Sequence, residues 1–289
     1  MDIDGDGHLD ILSGSYSRME QDMAGLFQVL YGKGDGTFRK AEVLKGTDGK
    51  PLIIPTKDRD QITEKICTRP FAVDWDGDGH LDLVVGNFAG TFYWFKGEGK
   101  GRFRPIPELI KAGDAPLRIP GAHSDPFVID WDGDGDLDLL SGSSDGGVYW
   151  AENIAGKGKP PVLRPFRPLI KPGPAIASGQ PLRASDLTGP TRATRIWVDD
   201  VNGDGKLDIL VGDSVTLISP AKGISEKEFK KKFADWQEAF KAASSALNSA
   251  ARDAKAQAKA VEEYNRVYRR RAEFMNEEMT GFVWLYLQK

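Results

Sequence analysis

The 289-residue chain is poor in the residues on which many catalytic and metal sites depend. Its one cysteine, Cys67, excludes an internal disulfide and a cysteine-based zinc site. It has three histidines, and it lacks a Gly-x-Ser-x-Gly elbow and a phosphate-binding glycine loop. No apolar run reaches the roughly 18 residues of a transmembrane helix, no signal peptide is recognisable, and no basic cluster indicates nucleic-acid binding. With 28% charged residues and a net charge of −4, the composition is that of an ordinary globular protein.

What the chain does have is one acidic nonapeptide that occurs four times. The copies are Asp2–Asp10 (DIDGDGHLD), Asp74–Asp82 (DWDGDGHLD), Asp130–Asp138 (DWDGDGDLD) and Asp200–Asp208 (DVNGDGKLD). Each copy has an oxygen-bearing side chain at positions 1, 3, 5 and 9, glycine at positions 4 and 6, and leucine at position 8. On a tightly turned loop these carboxylates converge, and each pair would repel by up to about 4 kcal/mol without a cation.

Hard oxygen ligands in this number suit Ca²⁺ better than Mg²⁺, which prefers to keep its waters. The alternative is an acidic surface turn without a metal, and a single copy would leave the two interpretations about even. Four copies in one register favour calcium. An EF-hand is excluded, because position 12 is Ser or Val in every copy, where an EF-hand has Glu. The dense nonapeptide repeat of calcium-binding β-helices is excluded by the wide spacing of the copies.

Each loop runs into a short apolar segment that ends in glycine, which is typical of a strand. A strand-like segment also precedes the last three loops, whereas only Met1 precedes the first. We therefore expect that the chain lacks its natural N-terminus, or that another segment supplies the missing strand. Units of four short strands at this spacing predict an all-β fold, a β-propeller with about four visible blades that is part of a larger propeller.

Residues 225–280 interrupt the fourth unit and contain no glycine or proline. Ser225 and Glu228 form a predicted capping box, and two apolar stripes at helical spacing follow. The second stripe consists of Val261, Tyr264, Val267, Tyr268 and Met275. Because both ends of the segment belong to one blade, we expect an antiparallel α-helical hairpin that turns near residues 248–255. Residues 1–224 would then be propeller blades, and 281–289 the returning third strand of blade four. The hairpin could be a docking arm for a partner or a self-packed insertion with solvated outer faces.

Aromatic residues and one histidine allow further hypotheses. We align Trp284 with Trp94 and Trp150, at one blade position that favours packing between blades. Trp75 and Trp131 occupy loop position 2 and would be able to stack on carbohydrate if they were exposed. His123 lies in a linker rich in proline and glycine, and we interpret it as a surface histidine in preference to a catalytic base.

The loop followed by Leu-Asp-Leu or Leu-Asp-Ile and a glycine-ended strand resembles the FG-GAP/VCBS-type repeat, which occurs in integrin alpha chains and secreted bacterial proteins. The run Val29–Phe38 (VLYGKGDGTF) also resembles the VCBS form. The resemblance covers residues 1–223 and 281–289 and leaves the helical insertion out. The literal Phe-Gly and Gly-Ala-Pro elements are absent, so integrin-like ligand recognition is not implied.

The resemblance implies that side chains at positions 1, 3, 5 and 9 and the carbonyl at position 7 bind Ca²⁺, for three to four ions in all. The implied ligands are Asp2, Asp4, Asp6, His8 and Asp10; Asp74, Asp76, Asp78, His80 and Asp82; Asp130, Asp132, Asp134, Asp136 and Asp138; and Asp200, Asn202, Asp204, Lys206 and Asp208. The fourth site has one charge fewer because of Asn202, so we expect it to bind more weakly. The first site would fray for want of its leading strand.

These observations predict a calcium-stabilised, non-catalytic propeller that presents a surface to a protein or carbohydrate ligand. Its location would be extracellular, periplasmic or at the cell surface. The alternative is a propeller enzyme that acts on polysaccharide as a lyase or hydrolase. That alternative requires a cleft of Lys, Arg and His near the propeller axis, which the sequence does not show.

Overall fold

The structure, a computed structural model, describes residues 1–16, 25–56, 59–173, 180–250 and 254–289. The chain divides into two compact units. The first unit comprises Met1–Ala175, Gly189–Ser214 and Gly281–Lys289, and the second comprises Ile176–Thr188 and Val215–Thr280. The second unit is thus built mainly from a segment inserted into the chain of the first.

The regular elements are mostly short strands. In chain order they are β1 (Ile11–Ser13), β2 (Gln28–Leu30), β3 (Glu42–Val43), β4 (Arg69–Val73), β5 (Asp82–Gly86), β6 (Phe92–Phe95), β7 (Glu108–Leu109), β8 (Lys111–Ala112), β9 (Ala115–Pro116), β10 (Asp125–Ile129), β11 (Asp138–Gly142), β12 (Val148–Ala151), β13 (Arg167–Ile170), β14 (Arg195–Asp199), β15 (Asp208–Gly212), β16 (Val215–Pro220), β17 (Met275–Thr280) and β18 (Val283–Tyr286). The α-helices are α1 (Glu226–Ser249) and α2 (Ala254–Arg270), and the 3₁₀ turns are Arg59–Glu64, Ala184–Asp186 and Arg271–Glu273.

The first unit contains four antiparallel sheets that repeat one plan. The second and third sheets have the orders β4-β5-β6-β7 and β10-β11-β12-β13. The first sheet, β1-β2-β3, and the fourth, β14-β15-β18, have three strands each. In the last three sheets the nonapeptide joins the first two strands, and in the first sheet it leads into β1. The predicted antiparallel β architecture is thus confirmed, and no sheet formed by the described residues closes on itself.

The register of β18 corrects the alignment of the tryptophans. Trp284 pairs with Val211 as Tyr93 pairs with Val85, so Leu285 occupies the position of Trp94. The predicted equivalence of Trp284 with Trp94 and Trp150 was therefore wrong by one residue, which places the side chain on the opposite face of the sheet. Aligning the preceding glycines, Gly281 with Gly90, would have given the observed register.

Neighbouring sheets bury apolar faces against each other. Phe27 and Val29 of the first sheet pack with Leu83, Val85 and Phe95 of the second. Two similar cores lie between the next pairs of sheets; their members include Val84, Phe92, Val128, Leu139 and Tyr149, and then Phe127, Leu140, Trp150, Val198 and Ile209. Burial on both faces explains why Leu83–Val85 of β5 form a continuous apolar run rather than an alternating one.

Glycine at the end of the second strand marks the place where the next sheet begins. A Cβ atom on Gly86 would lie 2.4 Å from the Ser124 carbonyl oxygen, and one on Gly142 would lie 2.3 Å from that of Thr194. On Gly14 the equivalent distance, to Thr68, is 1.8 Å. On Gly212, at the end of β15, the nearest atom is 3.9 Å away. The glycine is thus required by close approach of two backbones in three sheets and not in the fourth.

In the second unit the two helices pack along their apolar stripes. The Ser225 hydroxyl oxygen accepts a hydrogen bond from the Glu228 amide at 3.3 Å, as a helix N-cap does. The Trp236 indole donates to the Val267 carbonyl at 2.9 Å, and the rings of Phe240 and Tyr264 are 5.2 Å apart. Within the described residues, neither helix has the length and apolar composition that crossing a bilayer requires.

The insertion is not helical throughout, and the predicted hairpin over 225–280 ends too late. Helix α2 ends at Arg270, and Met275–Thr280 form β17, which pairs with β16. The sequence placed Met275 on a helical stripe, whereas it is buried beside Phe274 at the start of a strand. Pairing with β16 satisfies this backbone and overrides the local helical pattern. The predicted turn falls partly on residues 251–253, which are outside the described residues.

The glycine contacts make a direct prediction about stability. We expect Gly86→Ala to lower the free energy of unfolding by about 1–3 kcal/mol, because its Cβ would press on the Ser124 carbonyl. The matched control is Gly212→Ala at the equivalent strand end, where the Cβ would make only an ordinary 3.9 Å contact; it should change stability by less than about 1 kcal/mol. Urea unfolding would measure both, and equal losses would contradict a special role for close sheet approach.

Candidate metal centres

All four nonapeptide loops are wound by the same local hydrogen bonds. The position-1 carboxylate accepts the amide of the position-6 glycine, at 2.9 Å for Asp2, 2.9 Å for Asp74, 3.0 Å for Asp130 and 2.8 Å for Asp200. The position-3 side chain accepts the amide of position 5, and position 5 accepts that of position 7. Glycines at positions 4 and 6 have φ between 74° and 93° throughout, a region where other residues are strained.

This winding brings carboxylates together in three of the loops. Oxygens of Asp2, Asp4 and Asp6 lie within 4.8 Å of one another, as do those of Asp74, Asp76 and Asp78. In the third loop the group with this spacing is Asp130, Asp132 and Asp138. In the fourth loop the Asn202 amide donates to Asp204 at 3.2 Å. The Asn202 side chain thus provides a hydrogen-bond donor inside the fourth loop, which the aspartates at position 3 of the other loops cannot provide.

The donor set of these groups fits a hard cation. Asp74 Oδ1 is buried and has no hydrogen-bond partner among the described residues. A buried carboxylate oxygen without a partner costs free energy, and an oxygen-binding cation such as Ca²⁺ would remove that cost. Asp136 Oδ1 in the third loop is in the same condition. Burial raises the pKa of Asp136, with repulsion from Asp134 and Asp132 adding to the effect and the Gly156 amide opposing it.

The position-9 aspartate has a second role that the sequence did not reveal. One of its oxygens accepts the position-2 amide, from Ile3, Trp75, Trp131 and Val201 in the four loops, at 2.8 to 3.2 Å. The other oxygen accepts the amide two residues beyond β2, β6, β12 or β18, which are the third strands of the four repeat units. The donors are Gly32, Gly97, Asn153 and Gln288, at 2.6 to 3.0 Å. Position 9 is thus a latch between the loop and the third strand.

The latch residues are buried in all four loops. Asp10, Asp82, Asp138 and Asp208 are 6%, 0%, 1% and 0% exposed. Burial raises the pKa of Asp138 to about 6, although the Asn153 and Trp131 amides oppose the shift. The Asp10 carboxylate makes both latch hydrogen bonds although no strand precedes β1 in its sheet. The Asp10 amide also donates to the Met1 carbonyl at 2.6 Å. The first loop therefore has the same closed form as the others.

Position 7 differs from loop to loop in what its side chain contacts. The imidazole of His8 lies against Gly34, and that of His80 lies against Gly99. Asp136 accepts the Gly156 amide at 2.6 Å. The two histidines remain exposed while resting on the turns after β2 and β6, whereas Asp136 is buried against the turn after β12. Lys206 is exposed.

The second loop contains a cation of its own. The Lys96 ammonium, on the residue after β6, contacts Asp76 Oδ2 and lies 3.1 Å from Asp78 Oδ2. The hydrogen bonds to Asp76 and Asp78 raise the pKa of Lys96. The equivalent residue of the third sheet is Glu152, which pairs with Arg164 and Arg167 instead. Lys96 is therefore a competitor for a metal ion in the second loop; in the first loop the Arg39 guanidinium lies 3.8 Å from Asp6 Oδ2.

The aromatic residues of the loops are not carbohydrate platforms in the way that the sequence allowed. Trp75 is 4% exposed and belongs to the core between the second and third sheets. Trp131 is partly buried in the next core. Trp75 and Trp94 do line one side of a cavity of about 800 Å³, whose other walls include Glu108, Lys111 and Pro161.

Comparison with protein-family models identifies the repeat. The FG-GAP-like repeat matches residues 74–141 and again residues 130–211, which together contain the second, third and fourth loops. The predicted resemblance to this repeat is therefore confirmed over residues 74–211. No curated protein matches the chain.

Lys96 makes the second loop testable against the third. We expect Lys96→Met to raise the Ca²⁺ affinity of the second loop about tenfold, or about 1.4 kcal/mol, because the ion no longer displaces an ammonium. The reciprocal change, Glu152→Lys, should weaken the third loop. Calcium titration followed by the amide NMR signals of Gly79 and Gly135 would report the two loops separately. Unchanged affinities in both variants would mean that Lys96 does not occupy the metal position.

Proposed function

We propose that the four sheets are blades of a β-propeller whose nonapeptide loops bind Ca²⁺, and that the protein is a non-catalytic scaffold for a protein or carbohydrate ligand. The observation that carries the proposal is the shared winding of four loops, three of which lie within the residues that match the FG-GAP-like repeat. A purely structural acidic turn does not need the clusters of three carboxylates that three of these loops form.

The side chains at positions 1, 3 and 5 are the proposed principal ligands, together with the position-7 carbonyl. In the second loop these are Asp74, Asp76, Asp78 and the carbonyl of His80. Position 9 is proposed mainly as the latch; in the third loop Asp138 also comes within reach of Asp130 and Asp132. Bound Ca²⁺ would neutralise the clustered carboxylates and so crosslink each loop.

The proposed cellular location rests on the calcium concentration that such sites require. Loops of this kind suit millimolar calcium, which exists outside the cytosol and not within resting cells. FG-GAP repeats are typical of extracellular proteins, which supports an extracellular, periplasmic or cell-surface location. The helical hairpin of the second unit is a candidate docking arm, and its charged outer faces would be the contact, because its apolar stripes pack on each other.

Calcium titration tests the proposal on the protein stripped of metal with EDTA. We expect three or four sites and a rise in Tm, because each site adds about 2.7 kcal/mol of stability at 100 times its Kd. Asp132→Ala should remove one site and its share of the stabilisation. No binding, or binding without stabilisation, would refute the calcium role.

The matched control for this titration is Asp48→Ala. Asp48 accepts the Lys50 amide at 3.0 Å in an ordinary turn, with the same local geometry as loop position 3 but outside a carboxylate cluster. It should leave the number of sites and the calcium-dependent rise in Tm unchanged. A loss equal to that of Asp132→Ala would show that the effect comes from breaking a turn and not from losing a ligand.

A further inference from the structure

Three charged residues meet at the end of the first strands that is remote from the loops. Arg69, Asp125 and Arg195 are the first residues of β4, β10 and β14. The loops follow at the other ends of these five-residue strands, about 13 Å away at the usual rise of a strand. The cluster is therefore separate from the proposed calcium sites.

The backbone that leads into these strands is held in an unfavourable conformation. Cys67, His123 and Ala193, each two residues before its strand, have φ of 52°, 60° and 52°. A left-handed conformation is uncommon for residues other than glycine, because the Cβ atom crowds the backbone. Its repetition in three sheets fixes the position of the following charged residue, which is the arrangement expected of a preorganised site.

One carboxylate oxygen is shared by two guanidiniums. Asp125 Oδ1 lies 3.4 Å from Arg69 Nε and 3.6 Å from Arg195 Nε. The Nη1 group of Arg69 donates to the Ser124 carbonyl at 3.1 Å, and that of Arg195 donates to the Thr194 carbonyl at 2.9 Å. Each guanidinium is therefore fixed by two contacts. The side chain of Arg195 is the more open, at 41% exposed against 22% for Arg69.

The cluster carries one positive charge that it does not neutralise internally. Among the described residues, Asp125 is the one acid that forms an ion pair with either guanidinium. Burial lowers the pKa of Arg69, and repulsion from Arg195 lowers it further. Burial and then the charges of Arg69 and Arg195 lower the pKa of the nearby His123. The cluster thus has a surplus positive charge on guanidiniums that are held in place.

We propose that Arg195 and Arg69 form a binding site for the carboxylate group of a ligand. A surplus of one charge matches a monoanionic group, and the planar guanidinium fork matches a planar carboxylate. Arg195 makes the principal contact, because it is the more exposed of the two guanidiniums. Asp125 is a positioning residue that holds both.

Two carboxylate probes and one neutral probe test the site. Calorimetric titration with glucuronate, N-acetylglutamate α-amide and glucose at constant ionic strength should show binding of one or both acids and none of glucose. Binding of glucuronate alone would identify an acidic sugar as the source of the carboxylate, and binding of N-acetylglutamate α-amide alone an acidic peptide. Binding of neither acid would overturn the proposal.

Variants place the binding at the cluster. Arg195→Gln should weaken carboxylate binding at least tenfold, whereas Arg104→Gln, an exposed arginine paired with Glu98, should leave it unchanged. Arg195→Lys keeps the charge and the ion pair but loses the fork, and should give an intermediate affinity even if Arg195→Gln does not fold. Calcium titration of each variant checks the loops independently. Equal affinity in wild type and both Arg195 variants would refute the site.

Discussion

The buried carboxylate at position 9 of each loop is the interaction on which the first unit depends. It satisfies two backbone amides that would otherwise be buried without partners, one at the start of the loop and one beyond the third strand. An unpaired buried amide costs about 1–3 kcal/mol, so the four latches together fix where each loop closes and where each third strand ends. The register of β18, which returns after a long insertion, is set in the same way through Gln288 and Asp208.

The two ends of the sheets differ in charge, because the backbone conformation at each end brings different side chains together. At one end the chain must turn between strands, and glycines with positive φ allow carboxylates to gather there. At the other end the chain enters the first strand through a left-handed residue, which brings the first side chains of three sheets together. Acidic groups therefore collect at the loops and basic groups at the strand entries.

The sequence was sufficient for features that repeat and insufficient for those that depend on register or on distant residues. The nonapeptide spacing predicted the loops, the strands and the antiparallel sheets, because each is encoded locally. The predicted alignment of Trp284 was wrong, because the tryptophans were aligned with one another and the preceding glycines were not. The predicted helical position of Met275 was wrong, because strand pairing with β16 overrode the helical pattern of the sequence. The Arg69, Asp125 and Arg195 cluster was invisible, because its members are more than fifty residues apart.

The loops are alike in their ligands and differ in their neighbours, so their affinities need not follow the ligand count. Asn202 removes a charge from the fourth loop and also supplies a proton to Asp204. Lys96 adds an internal cation to the second loop, which has all its carboxylates. A metal ion must displace that ammonium before it gains the full attraction of Asp76 and Asp78. The second loop therefore need not bind a cation most tightly, although it has all its carboxylates. The third loop has Glu152 at the position of Lys96, so we expect it to attract a cation more strongly.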